Sequence, residues 1–186
     1  MNGLHLYLVR FNSHLDLLRD SRKIFRLGKS FNELIFIIEK LTNELSFKVT
    51  PTNLLEVLSK FGYFFYWIFD NLGILSKLKL LSLDPNNMNK YAALAWFTGT
   101  VLVLFKQLIE LNTLLSDKKK QDPSKTDNVL DKKIFNLYVN IIGKIGDVFP
   151  SAQGSNISVM LYGKPFSEVT VGFGGMIAAL VALYNL

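Results

Sequence analysis

The uncharged C-terminal segment constrains the fold of this chain more than any other feature. Residues 169–186, VTVGFGGMIAALVALYNL, include no Asp, Glu, Lys or Arg. At 1.5 Å per residue a helix of this length reaches about 27 Å, close to the roughly 30 Å hydrocarbon thickness of a bilayer. A soluble core helix could have a similar composition. Because a glycine-rich, uncharged terminus would be poorly soluble, the segment favours a C-terminal Gly/Ala-rich transmembrane helix.

Small residues recur within this segment at four-residue spacing. Gly174, Ala178 and Ala182 form one row, and Gly175 and Ala179 form a second. In lipid, rows of small residues allow two helices to approach closely. They predict that this face packs against another helix or mediates homo-oligomerisation.

Two further apolar stretches lie in the middle of the chain. The stretch FGYFFYWIFDNLGILSKLKLL has Asp70 as its only charge between Lys60 and Lys77, so it is apolar nearly all round and predicts burial in protein or lipid. The stretch YAALAWFTGTVLVLF is uncharged up to Lys106 but short for a spanning helix, which needs about 20 residues. With DPNNMN between them as a turn, residues 52–115 predict an apolar helical hairpin.

The N-terminal stretch SRKIFRLGKSFNELIFIIEK contains a GKS tripeptide. A phosphate-binding loop needs a glycine five positions before Gly28, and that position is Lys23. A helix fits better, because successive residues turn by about 100°. Its apolar face would carry Ile24, Leu27, Gly28, Phe31, Leu34, Ile35 and Ile38. Its basic face would carry Arg19, Arg22, Lys23, Arg26 and Lys29. Residues 1–47 therefore predict a basic amphipathic helix, which either belongs to an ordinary bundle or lies on anionic lipid.

The remaining boundaries follow from breaker residues. Pro51 or Thr52 is expected to open the second helical segment, which runs over residues 54–83. Residues 116–128, SDKKKQDPSKTDN, predict a solvated loop. A fourth helix is expected over 129–148 and to end at PSAQGSN, with the C-terminal helices completing 129–186. One side of it would carry Ile134, Leu137, Tyr138, Ile141 and Ile145. The expected fold is a single all-α, membrane-associated domain over residues 1–186.

Composition narrows the partners and the chemistry. The chain is 49% hydrophobic and only 19% charged, with a net charge of +6. The positive charge favours an anionic partner, and the aromatic-rich apolar runs favour anionic phospholipid over nucleic acid. There is no cysteine, and His5 and His14 lack carboxylates at metal-ligand spacing. No catalytic motif, cofactor site or metal site is recognised, so the sequence gives no positive case for an enzyme.

Asp70 is the one acidic residue isolated among aromatics. A lone carboxylate in such a setting serves as a proton relay or pore residue, or is satisfied by a neighbouring helix or by Lys77 two turns along the chain. The sequence favours the structural role.

Several segments together resemble one family, the peroxin-eleven proteins, which elongate and divide peroxisomes. SRKIFRLGKSFNEL resembles the basic amphipathic signature of the family, and FGYFFYWIFDNLGILSKLKLL resembles its aromatic segment, with Asp70, Asn71 and Leu72 in place. KYAALAWFTGTVLVL, KIGDVFPSAQ and the C-terminal segment follow in the family's order.

The resemblance implies an integral membrane protein of the peroxisome, or of a glycosome, that promotes elongation and fission by amphipathic-helix insertion and self-association. It also implies possible recruitment of fission machinery. Family members usually begin with a further Gly-Arg-Asp-Lys-like amphipathic segment, which is not found before Arg19. The membrane-inserting role is therefore expected to fall on residues 13–41 or on a partner.

Two other functions remain open at this point. In a solute channel, which has also been suggested for the family, Asp70, Lys60 and Lys77 would face an aqueous path. In a soluble helical scaffold, the aromatic runs would form an ordinary core.

Overall fold

A computed structural model describes residues 28–42, 50–120 and 128–186, and its regular elements are all helices. They are α1 (Lys29–Thr42), α2 (Pro51–Lys77), α3 (Pro85–Lys120), α4 (Asn128–Gly154), α5 (Ile157–Tyr162) and α6 (Glu168–Tyr184). The expected all-α class is confirmed. The hairpin expected over 52–115 corresponds to α2 and α3.

Local capping chemistry sets the starts of the helices. The Thr50 side chain accepts a hydrogen bond from the Asn53 amide, and Pro51 occupies the first turn of α2, so the expected opening at Pro51 is confirmed. Asp84 Oδ1 accepts from the Asn86 amide at 2.9 Å. The DPNNMN stretch is therefore not a turn, because all but Asp84 belongs to the first turns of α3.

The chain reverses earlier than the composition suggested. The structure ends α2 at Lys77, whereas the sequence pattern extended the segment to residue 83. Lys79 has a φ of 58°, a left-handed conformation that cannot continue a helix. The connection between α2 and α3 thus contains the leucines at 78, 80, 81 and 83.

The described part of the predicted N-terminal helix begins at Gly28. Its φ is +87°, and α1 begins at the next residue. A glycine adopts this backbone without a steric penalty, since it has no Cβ. Of the expected apolar face, Ile24 and Leu27 lie outside the described residues, and α1 carries Phe31, Leu34, Ile35 and Ile38.

Pro150 lies inside α4 rather than after it, so the expected break at PSAQGSN is wrong by several residues. The ring removes one backbone donor, which leaves the carbonyl of Gly146 without its usual i+4 partner. The Ser151 hydroxyl donates to the Asp147 carbonyl at 2.7 Å and stabilises the same turn. Helix α4 consequently continues to Gly154.

The expected loop at 116–128 is also shorter than predicted. Ser116 to Lys120 form the last turns of α3, and residues 121–127 lie outside the described part. The final turn holds Lys118, Lys119 and Lys120, whose positive charges favour a helix C-terminus. Lys118 also forms an ion pair with Asp131 of α4, which joins the two helices across the connection.

The helices pack in series, each of the long ones against its neighbour along the chain: α1 on α2, α2 on α3, α3 on α4, and α4 on α6. Neighbours are antiparallel, as the ion pairs between α1 and α2 illustrate. Glu33 pairs with Lys60, whereas the later Lys40 pairs with the earlier Glu56. The result is an up-and-down arrangement without one central core.

Glycines permit the closest helix crossings. A Cβ added at Gly62 of α2 would lie 2.8 Å from the Cα of Gly99 in α3. A Cβ added at Gly146 of α4 would lie 2.6 Å from the carbonyl oxygen of Gly174 in α6. Backbone therefore meets backbone at both crossings, a mode of packing that is favoured in lipid.

Candidate functional site

The described helices expose more large apolar side chains than they bury. The buried apolar residues are Ile37, Val57, Ile74, Ala92, Ile134, Ile141 and Ala152. The exposed ones form stripes at helical spacing along the helices. Their members are Phe31, Ile35 and Ile38 in α1; Leu54, Leu58, Phe61 and Phe65 in α2; Phe135, Tyr138, Ile142 and Ile145 in α4; and Val169, Phe173, Met176, Leu180 and Leu183 in α6.

This distribution is unusual for a protein in water. Contiguous exposed apolar patches on soluble monomers rarely exceed a few hundred Å² and usually mark interaction sites. Here, stripes run along several helices. For α4 the pattern also corrects the sequence expectation: Tyr138 and Ile145 are exposed, while Ile134 and Ile141 are buried on the other side.

Helix α3 is long and apolar enough to cross a bilayer, and it is the one helix of the described residues that meets both criteria. About 22% of the residues in its apolar window are buried in the protein, and others, such as Leu94 and Phe105, are exposed. The apolar helix α6 has 17 residues, at the lower limit of the length that spans a hydrocarbon core.

Helix α1 packs on α2 through a face that carries both charged and apolar residues. Glu33 forms an ion pair of 3.0 Å with Lys60 of α2, and the Lys60 ammonium lies 4.6 Å from the centre of the Phe36 ring. Lys40 pairs with Glu56 at 3.3 Å. The stripe of Phe31, Ile35 and Ile38 is exposed, with Phe31 66% exposed. One apolar stripe of α1 is therefore exposed, while Ile37 is buried on the face that packs against α2.

Glu56 joins three helices. Its carboxylate contacts Lys40 of α1 at 3.3 Å and Lys106 of α3 at 3.2 Å. Partial burial acts to raise the pKa of Glu56, but the hydrogen bonds and charges of Lys106 and Lys40 outweigh it, so its pKa lies below the ordinary value. The sequence analysis missed this cluster, because its members are far apart in the chain and no local spacing relates them.

Only part of the expected lipid-binding set lies within the described residues. Arg19, Arg22, Lys23, Ile24, Arg26 and Leu27 lie outside them. The Lys29 ammonium lies 5.0 Å from the centre of the Trp67 ring in α2, at cation–π distance. Phe31 is on the exposed stripe.

The small residues of α6 divide into two groups. Gly174 is buried against Gly146 of α4, and a Cβ at Gly146 would also meet Ala178. Gly175, Ala179 and Ala182 instead line a cavity of about 570 Å³ between α3, α4 and α6. A role for these residues in oligomerisation stays a prediction.

The three residues of the channel alternative have different settings in the structure. Asp70 is buried in α2, with 6% of its surface exposed, while Lys77 is exposed at the end of that helix. Lys60 is engaged by Glu33. None of the three lines the cavity between α3, α4 and α6. Within the described residues no group of three or more acidic or imidazole side chains could hold a metal ion, and both histidines lie outside them.

Outward-facing apolar stripes, a long apolar helix and backbone crossings at glycines are typical of a helical membrane protein. The comparisons with known proteins agree with this class. The family model for Peroxisomal biogenesis factor 11 (PEX11) matches residues 9–186, so the chain belongs to the PEX11 family.

A curated relative supports the same assignment. The chain is 26% identical to the Peroxisomal membrane protein 11 homolog of Dictyostelium discoideum over an alignment that covers 98% of this chain and 82% of the relative. No solved structure matches. The resemblance to the peroxin-eleven proteins is confirmed, and the chain is a peroxisomal membrane protein of this type. A soluble scaffold does not fit that family.

Proposed function

We propose that this protein promotes elongation and fission of the peroxisome by inserting the apolar stripe of α1 into one leaflet of the membrane. The observation that carries the proposal is the exposed stripe of α1: Phe31, Ile35 and Ile38 are exposed, while Glu33 and Lys40 pair with α2. A helix that lies in the interface plane with its apolar face among the acyl chains adds area to that leaflet and favours curvature.

Basic residues before α1 would add electrostatic attraction. Arg19, Arg22, Lys23 and Arg26 precede Lys29 in the sequence, and each cation near an anionic surface contributes about 1 kcal/mol. Peroxisomal fission machinery is a further proposed partner.

Self-association would concentrate the effect of the inserted helices. Because Gly174 and Ala178 already pack against α4 within one copy, we propose that a second copy meets α6 on its outer residues. Chemical cross-linking in vesicles should then give dimers, and this product should decrease when Phe173 and Leu180 are replaced by Ala.

Flotation with anionic vesicles tests the insertion. The triple substitution of Phe31, Ile35 and Ile38 by Asn should lower the bound fraction, because burying one such side chain is worth about 1.5–3 kcal/mol. Even partial insertion predicts a partition coefficient lower by about tenfold or more. Tubulation of giant vesicles should be lost in parallel. The matched control replaces the same three residues by Leu and should bind like the wild type.

Charge reversal tests the basic residues separately. Replacing Arg22, Lys23 and Arg26 by Glu should weaken flotation and remove its dependence on salt. The control reverses Lys119, Lys120 and Lys132, which changes the net charge equally at the α3–α4 connection. Unchanged binding of both the Asn variant and the Arg22, Lys23, Arg26 variant would rule out the insertion.

A further inference from the structure

The cavity between α3, α4 and α6 has the form of a site for an amphiphile. Its volume of about 570 Å³ is within the range of sites for small ligands. It extends along α4 from Asn140 to Pro150, which is about 15 Å at the helical rise. It is long enough to hold a polar group at one end and part of an acyl chain at the other.

The antiparallel packing sorts the lining residues by polarity. Gln107 of α3, Asn140 of α4 and Asn185 of α6 meet at one end, where Asn185 Nδ2 donates to Asn140 Oδ1 at 2.8 Å. The other end is walled by Trp96, Pro150, Gly175 and neighbouring alanines. One end therefore offers hydrogen bonds and the other offers small apolar side chains.

A lysine and an aspartate of α4 line the cavity between these ends. Lys144 Nζ lies 3.0 Å from Asp147 Oδ2, and the two side chains are about 32% and 21% exposed. Gln107 Oε1 is buried and has no hydrogen-bond partner among the described residues. The wall thus provides a cation for a phosphate and a carboxylate that accepts N–H donors, and Gln107 at the polar end adds an amide oxygen that also accepts them.

From this lining we infer that the cavity binds one phosphatidylethanolamine molecule of the surrounding membrane, with the phosphate on Lys144 and the primary ammonium directed to the acceptors Asp147 and Gln107. The choline headgroup has no N–H to donate, so phosphatidylcholine leaves both acceptors unsatisfied. Phosphatidylserine adds a negative charge that the balanced Lys144–Asp147 pair does not match. This inference does not depend on insertion of α1.

Native mass spectrometry of the full chain tests the headgroup preference. The protein, purified in detergent, is mixed with phosphatidylethanolamine, phosphatidylcholine and phosphatidylserine that carry the same acyl chains. We expect one phosphatidylethanolamine to be retained with about tenfold preference over phosphatidylcholine, the factor that one charge-assisted hydrogen bond supplies. Equal retention of the three lipids would overturn the inference.

Two glycines of α6 provide a matched pair of variants. A Cβ at Gly175 or at Gly172 meets nothing within 4 Å, but only Gly175 lines the cavity. Gly175→Leu should therefore abolish the retained lipid, while Gly172→Leu, which changes helix propensity equally, should retain it. If Gly175→Leu retains the lipid as well as the wild type, the site is not this cavity.

Polar variants keep the test valid if the leucine variant unfolds. Lys144→Met and Asp147→Asn should each lower the preference for phosphatidylethanolamine about tenfold, whereas Lys164→Met, at an exposed lysine outside the cavity, should not. Circular dichroism confirms helical content for each variant. Binding of soluble phosphoethanolamine without lipid retention would contradict the inference, as would unchanged selectivity in both polar variants.

Discussion

At the scale of single residues, Glu56 connects α1, α2 and α3. It contacts Lys40 and Lys106, with side-chain exposures between 22% and 24% for the three groups. Two cations share one carboxylate there, so removing the negative charge leaves two partly buried ammonium groups close together. Such a group affects stability more than an exposed ion pair does, because solvent screens it less.

We predict that Glu56→Gln lowers the free energy of unfolding in detergent by about 1–2 kcal/mol, since the hydrogen bonds lost are charge-assisted and only partly buried. Thermal unfolding followed by circular dichroism measures this. The control is Glu39→Gln on the exposed side of α1, which should change stability little. Equal effects of the two substitutions would contradict the prediction.

The pH dependence of this contribution has a defined sign. The pKa of Glu56 is lowered from 4.5 in the folded protein, so its ionised form is favoured by folding. The stabilisation is fully present above pH 4.5 and is lost as the pH falls through the lower folded pKa. The difference in melting temperature between wild type and Glu56→Gln should therefore shrink below pH 4.5, and a difference that grows on acidification would contradict this assignment.

The glycine crossings provide a second prediction at this scale. At Gly62 an added Cβ would meet the Cα and amide of Gly99, neither of which can rotate away. Gly62→Ala should destabilise the α2–α3 hairpin by about 1–3 kcal/mol through overpacking. At Gly172 an added Cβ meets open space, so Gly172→Ala should stabilise α6 by about 0.5–1 kcal/mol. Unfolding titrations in mixed detergent measure the free energy of unfolding of both variants.

At the scale of elements, the sequence predicted the features of each helix that depend only on residues close together in the chain. Thr50 and Pro51 opened α2 as expected, because capping depends on residues within one turn. Pro150 was misread, since its tolerance in α4 depends on the Ser151 hydroxyl and on a crossing with α6. The four-residue spacing placed Gly174 and Gly175 in two rows of small residues. Which of them meets another helix is decided by tertiary packing.

The candidate site was predictable to the same extent. Alternation of apolar and basic residues revealed that the N-terminal region is amphipathic, but periodicity does not say which face a neighbour covers. The pairs that decide it, Glu33–Lys60 and Lys40–Glu56, join residues far apart in the chain. The covered face of α1 carries Ile37 beside these charged residues, which periodicity alone did not separate from the exposed stripe.

The docking of α1 should respond to charge exchange. Lys60→Glu places two carboxylates opposite each other and should increase amide hydrogen exchange in α1 by about two- to fivefold, the effect of a partly exposed ion pair. Adding Glu33→Lys restores opposite charges and should return exchange toward the wild-type rate. If the double variant exchanges faster than the single one, the pair does not hold α1.

At the scale of the whole molecule, the described helices lack a single core that is shielded from solvent. They pack in series and leave apolar stripes on the outside, so the bilayer must provide much of the apolar contact that a soluble protein obtains from itself.

Alkaline carbonate treatment of isolated organelles measures this dependence. The protein should stay in the membrane pellet, because α3 has the length and composition of a spanning helix. Replacing Val101 and Leu104 in α3 by Lys should release a larger fraction, since charges in the hydrocarbon region are unfavourable by a few kcal/mol each. Complete release of the wild type would contradict integral insertion.

The one-sided attachment of α1 has a consequence for adaptation. Since α1 packs mainly on α2, its exposed residues can change without repacking α3, α4 or α6. Substitutions in α1 would change the area that it adds to one leaflet, while the other helices would hold the protein in the membrane as before. Relatives could thus differ in the curvature they generate and still share the same buried helix contacts.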